Sequence, residues 1–158
     1  MTDLSRFERI TRAAFRFTEA ASEDAGSHHA FDIRNLHPSL PRKVKELFDD
    51  GHYADATLKA FIFVDEEVQR IATSDETGFK LMMQAFGGTP PPLALNALKD
   101  ATDESEQEGF KFLFAGSSRA IRNPRAHKSR IVDDVDLCLD QLSFASMLLR
   151  RLDDAGLR

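Results

Sequence analysis

Apolar residues recur along most of this chain at intervals of three and four, the spacing that lines one face of a 3.6-residue helix. In residues 5–21, Phe7, Ile10, Ala14, Phe17 and Ala21 share one arc while Arg6, Arg9, Arg12 and Arg16 share another, which predicts an amphipathic helix. Its arginine row is either a solvated side or a second surface for phosphates or an acidic partner. Residues 22–35 mix Gly26, Ser27, His28, His29 and Asp32 without a period and read as a loop. Helical spacing returns in residues 39–49 (Leu40, Val44, Leu47, Phe48), and Gly51 ends it. Residues 52–74 carry the longest pattern, with Leu58, Phe61, Val64, Val68 and Ile71 on one face and alanines at 54, 56 and 60 allowing close approach. This predicts a central helix.

A shorter helix is expected over residues 79–85, then a Gly87-Gly88-Thr89-Pro90-Pro91-Pro92 breaker, then a short helix over 93–100. Residues 105–121 place Phe110, Leu113, Phe114, Ser117, Ala120 and Ile121 on the helical period. Gly116-Ser117-Ser118 leaves room for another backbone, either within the chain or from a second copy. The last helix is expected over 133–153, with Val135, Cys138, Leu139, Leu142, Ala145, Leu148, Leu149 and Leu152 on its apolar face. No stretch alternates with period two, so the fold class is all-α, a bundle of five to seven helices. A chain of 158 residues fits one core, and residues 1–35 are expected to join residues 36–158 in one domain.

Composition narrows the class. A hydrophobic share of 42% with 13 Phe argues against disorder, and the one cysteine, Cys138, sits in an apolar pattern as a buried thiol. There is no apolar leader at Met1, and the longest apolar run is too short to span a bilayer, so a cytoplasmic location is expected. The net charge of −5 is unevenly spread. Residues 110–132 hold Lys111, Arg119, Arg122, Arg125, Lys128 and Arg130 with no acid, which is +6 there and −11 elsewhere. An anionic partner belongs at that segment.

Within it stands Arg122-Asn123-Pro124-Arg125-Ala126-His127. Residues five apart on a regular helix diverge by roughly 140°. Pro124 removes a backbone donor and disfavours helical backbone at Asn123, which predicts a break or kink there, with Asn123 capping a new turn. Such a bend would draw Arg122, Asn123 and His127 into one small volume. They supply a bidentate phosphate binder, an adaptable amide and a group that titrates near neutrality, a set suited to phosphoryl chemistry. The acids Asp65-Glu66-Glu67 read as a solvated face, or as a source of one carboxylate that orients Arg122 or His127. His37 and His52 stand beside helix starts and read as structural. His28, His29 and Asp32 lack a further ligand at metal-site spacing, so neither metal nor cofactor is expected.

The motif resembles the Arg-x4-6-His signature of the HEPN superfamily. Leu36-His37-Pro38, Leu47-Phe48-Asp49-Asp50-Gly51-His52-Tyr53, Gln107-Glu108-Gly109-Phe110 and Leu113-Phe114-Ala115-Gly116 resemble its Ymh-type branch of small bacterial and phage-associated proteins. The resemblance runs from about Leu36 to Asp153. It implies a HEPN-like helical domain that dimerises and, in many relatives, a metal-independent endoribonuclease in phage defence or a toxin–antitoxin system, with an antitoxin or other regulatory protein as a further partner. Arg122, Asn123 and His127 would then be catalytic, and Arg119, Arg125, Lys128 and Arg130 would bind the RNA. The alternatives are a noncatalytic nucleic-acid or nucleotide-binding module and a structural or antitoxin-like interaction protein.

Overall fold

The computed structural model describes residues 29–127 and 131–158. The chain divides into two units, Met1–Ile33 and Arg34–Arg158. The first contributes one described helical turn, α1 (Ala30–Ile33), inside the stretch expected to be a loop; His29 Nδ1 accepts the Phe31 N–H at its start. The expected helix over 5–21, with its arginine row, lies outside the described residues, as does His28.

The second unit contains α2 (Arg42–Asp49), α3 (Tyr53–Ala72), α4 (Gly78–Ala85), α5 (Ala101–Ser117), a wide π-turn (Ser118–Arg122), α6 (Asn123–His127) and α7 (Val135–Asp154). No strand occurs among the described residues. The all-α class is therefore what the periodicity specifies.

α3 is the axis. Its Ala56, Ala60, Phe61, Val64 and Val68 are buried, and α2, α4, α7 and the π-turn all pack against it. The small alanines let α7 approach with Leu142, Ala145 and Leu149. Phe86 and Phe114 stack with ring centroids 4.4 Å apart and close the other end of the core. Each such side chain contributes about 1.5–3 kcal/mol by leaving water. The ends of the unit are stitched together: His37 N–H donates to Ser146 Oγ at 2.9 Å, His37 Nε2 bonds Asp153 at 2.7 Å, and Arg158 bonds Glu67 at 2.7 Å.

Gly78 opens α4 for two reasons. Its φ of +61° disfavours a side chain, and an added Cβ would lie 3.1 Å from Ser118 Oγ. That contact brings the head of α4 against the π-turn.

Two elements differ from the expectation. Residues 93–100 form no helix: Leu98 takes a left-handed φ of 49°, and backbone groups of the segment bond side chains instead. Buried Gln107 accepts the Leu95 N–H at 2.7 Å and donates to the carbonyls of Phe86 and Leu93. Asn96 accepts the Leu98 N–H, and Asp100 caps α5 by accepting from Thr102 and Asp103, so α5 begins four residues earlier than the spacing suggests.

The second difference is at Pro124. The helix does not break. Asn123 keeps helical backbone (φ −63°, ψ −43°), and its N–H donates to the Ser118 carbonyl five residues back. The π-turn, with its i→i+5 bonding, absorbs the missing donor that a tighter helix would need at the proline. Arg125 Nη1 donates to the Ile121 carbonyl at 3.0 Å, satisfying an acceptor in that turn. α5, the π-turn and α6 thus form one rod from Ala101 to His127.

Candidate functional site

The rod presents its polar residues to different surroundings. Arg122 turns inward toward α3, where its Nε stands 3.6 Å from Asp65 Oδ2, and its Nη1 donates to Asn123 Oδ1 at 3.0 Å. The Nε to Oδ2 separation is an ion pair too long for a hydrogen bond, and both atoms, like Ser118 Oγ, are buried without a hydrogen-bond partner among the described residues. Arg122 Nη2 likewise has no acceptor among the described residues.

Asp65 is the buried member of the Asp65-Glu66-Glu67 run; Glu66 is exposed, and Glu67 pairs with Arg70 and Arg158. The reading of that run as a wholly solvated face is corrected, because α3 rotates Asp65 onto the side that carries Val64 and Val68. Burial pushes the Asp65 carboxyl up to about 6, opposed by the Arg122 guanidinium and by the Gly78 N–H that donates to it, and reinforced by Glu66. The carboxyl therefore titrates close to neutrality beside the arginine it faces.

The His127 side chain is exposed at the end of the rod and makes no hydrogen bond or ion pair with a described residue. A bend does not draw it to Arg122: the rod continues, and the two side chains leave it toward different environments, one the α3 interface and the other solvent. Asn123 orients the guanidinium rather than His127.

The four residues expected to contact substrate separate as well. Arg119 is exposed, with its guanidinium 3.7 Å from the centroid of the Phe79 ring. Arg125 is corrected. Its fork bonds both oxygens of Asp133 at 2.8 Å, with the side chains 7% and 2% exposed, so it is an internal clamp and not a free phosphate binder. Spacing cannot separate such an arginine from its neighbours, because its partner lies eight residues ahead across an interrupted helix. Lys128 and Arg130 lie outside the described residues.

The clamp fixes the chain where it turns into α7, whose first N–H groups Asp134 caps through Leu137. Beneath it, Cys138 is buried; Thr57 Oγ donates to its sulfur at 3.5 Å, and burial pushes the thiol up, which suits a packing group and not a nucleophile. No helix among the described residues is long and apolar enough to cross a membrane.

Residues 34–152 match the model of the family described as "Protein of unknown function (Hypoth_ymh)", and the chain belongs to that family. Neither a curated protein nor a solved structure matches the chain.

Proposed function

We propose that this member of the Ymh family is a metal-independent endoribonuclease of the HEPN type that acts as a homodimer, in phage defence or a toxin–antitoxin system. The observation that carries the reading is Arg122 held between Asp65 and Asn123, with an exposed His127 on the same rod, inside the one stretch of the chain with +6 charge. The antitoxin or regulatory partner belongs to the same proposal.

In this reading Arg122 uses its unpaired Nη2 to hold a non-bridging phosphate oxygen, where negative charge grows as the ribose 2′-oxygen attacks phosphorus. His127 takes the proton from that 2′-hydroxyl or returns one to the departing 5′-oxygen, leaving a 2′,3′-cyclic phosphate. One imidazole does not serve both transfers in a single step. Arg122 and His127 also diverge on one rod, so a second copy supplies what the first lacks. α5 offers that copy a face: Phe112 and Leu113 are 55% and 42% exposed, and Gly109 and Gly116 beside them have open space where a Cβ would be.

RNA incubated with the protein in EDTA should yield 2′,3′-cyclic phosphate ends, and His127→Ala should abolish them. Intact RNA across varied substrates would remove the nuclease reading. A noncatalytic nucleic-acid-binding module is favoured by one feature: among the described residues no partner fixes the His127 ring. It predicts salt-sensitive binding, lost in Arg122→Ala, with no product.

A further inference from the structure

Beyond the Arg122 cluster, residues 131–133 lie against the head of α3 and form an open recess of about 200 Å³ with it. His52, Tyr53 and Asp55 make one wall, and Ile131, Val132 and Asp133 make the other. We infer that this recess is a nucleobase site: it takes one unpaired base of a single-stranded RNA, stacked against Tyr53 and His52, and it favours cytosine over uracil. The inference rests on the RNA reading above and adds to it a place where sequence is read.

Three observations carry it. The first is aromatic surface. Tyr53 lines the recess and is half-buried, its ring packed on Phe48 with centroids 5.3 Å apart. His52 beside it is exposed, and its side chain does not cap α3. A propped aromatic with a free neighbouring ring is the platform on which unstacked bases settle. The second is apolar surface left bare: Val132 is 92% exposed at the lip. A base slotted against Tyr53 would cover it.

The third is charge. The recess holds two carboxylates, but Asp133 is consumed by the Arg125 fork, which leaves Asp55 as the exposed acceptor. A carboxylate set against the 4-position of a pyrimidine accepts from the cytosine amine and meets the O4 acceptor of uracil at the same place, where the ring N3–H is the one donor left. It also repels phosphate, so the base enters the recess while the sugar–phosphate chain stays outside. Val132 follows His127 by five residues, which places the recess on the continuation of the segment that carries the histidine.

The chain has one tyrosine and no tryptophan, so a protein labelled with ¹³C-tyrosine gives a single set of ring signals, all from Tyr53. Adding short single-stranded RNA of cytidines should move those ring protons upfield, saturably, by the ring current of a stacked base. Uridine RNA should bind about fivefold more weakly, the worth of one net hydrogen bond. Asp55→Asn should erase that difference. Val132→Glu, at a bare surface position that leaves packing intact, should abolish the shift, while His127→Ala should keep it. Ribose 5-phosphate, which has no base, should leave the ring unmoved. If RNA is cut but the Tyr53 signals stay still, the recess proposal is overturned and the nuclease reading stands. If they move and no RNA is cut, the recess stands and the nuclease reading falls. Equal shifts with ribose 5-phosphate, or none with any RNA, overturn the nucleobase site.

Discussion

Asp65 is where a single side chain decides most. Its carboxyl, pushed up to about 6 by burial, holds its proton more tightly in the folded chain than in the unfolded one. Between the ordinary carboxylate range near 4 and about 6 the folded state therefore binds more protons, so stability falls as pH rises through that window and levels off above it. Urea unfolding of wild type against Asp65→Asn should show wild type losing on the order of 2–3 kcal/mol relative to the variant between pH 4 and pH 7. A constant difference would mean that the carboxyl is not perturbed. Activity should run the other way, rising through about pH 6 as the carboxylate ionises and holds Arg122, and Asp65→Asn should lack that limb. Arg125 makes the opposite case. Its ion pair with Asp133 is buried and bidentate, so Arg125→Ala leaves an unpaired buried carboxylate and should cost about 3–5 kcal/mol, whereas the apolar pair Arg125→Met with Asp133→Leu should recover much of that. Sequence marked both arginines as members of one basic segment. It could not divide them, because the division depends on which carboxylate each meets across the fold.

At the scale of elements, the apolar periods located α2, α3, α4 and α7 closely, since each lays a continuous stripe on the core. They did less well where side chains and not the helical ladder satisfy the backbone. The 93–100 segment has apolar residues at plausible helical spacing, yet Leu93 and Leu95 are buried in irregular, bent chain where Gln107 takes their backbone groups. Gln107→Ala should strand one N–H and two carbonyls and cost about 2–4 kcal/mol, read as a lower urea midpoint with an unchanged slope. At Pro124 the local rule, that proline ends a helix, was met by a wider turn. Stripe counting also overstates the core face of α5 and the π-turn, since Leu113 and Ala120 share the period of Phe114 but face solvent. That residue of apolar surface is what the dimer proposal uses.

For the whole molecule, the geometry of the Arg122–His127 motif departs from what its sequence predicts. Arg122, Asn123 and His127 stand out in sequence as residues of one segment; the third dimension picks Asp65 out of the acidic run as the carboxylate beside Arg122 and removes the expected bend. A single chain therefore presents an oriented arginine and an exposed histidine that leave one rod toward different surroundings. Phe112→Glu together with Leu113→Glu should keep the fold, as both side chains are exposed, and should convert a dimer to a monomer by light scattering with loss of RNA cleavage. Retention of cleavage by a monomer would refute the need for a second copy. The central claim meets its most direct test in one reaction: end-group analysis of RNA treated with wild type and with His127→Ala in EDTA. The account predicts 2′,3′-cyclic phosphate termini from wild type and none from the variant. RNA left whole by wild type, or cut equally by both, would contradict it.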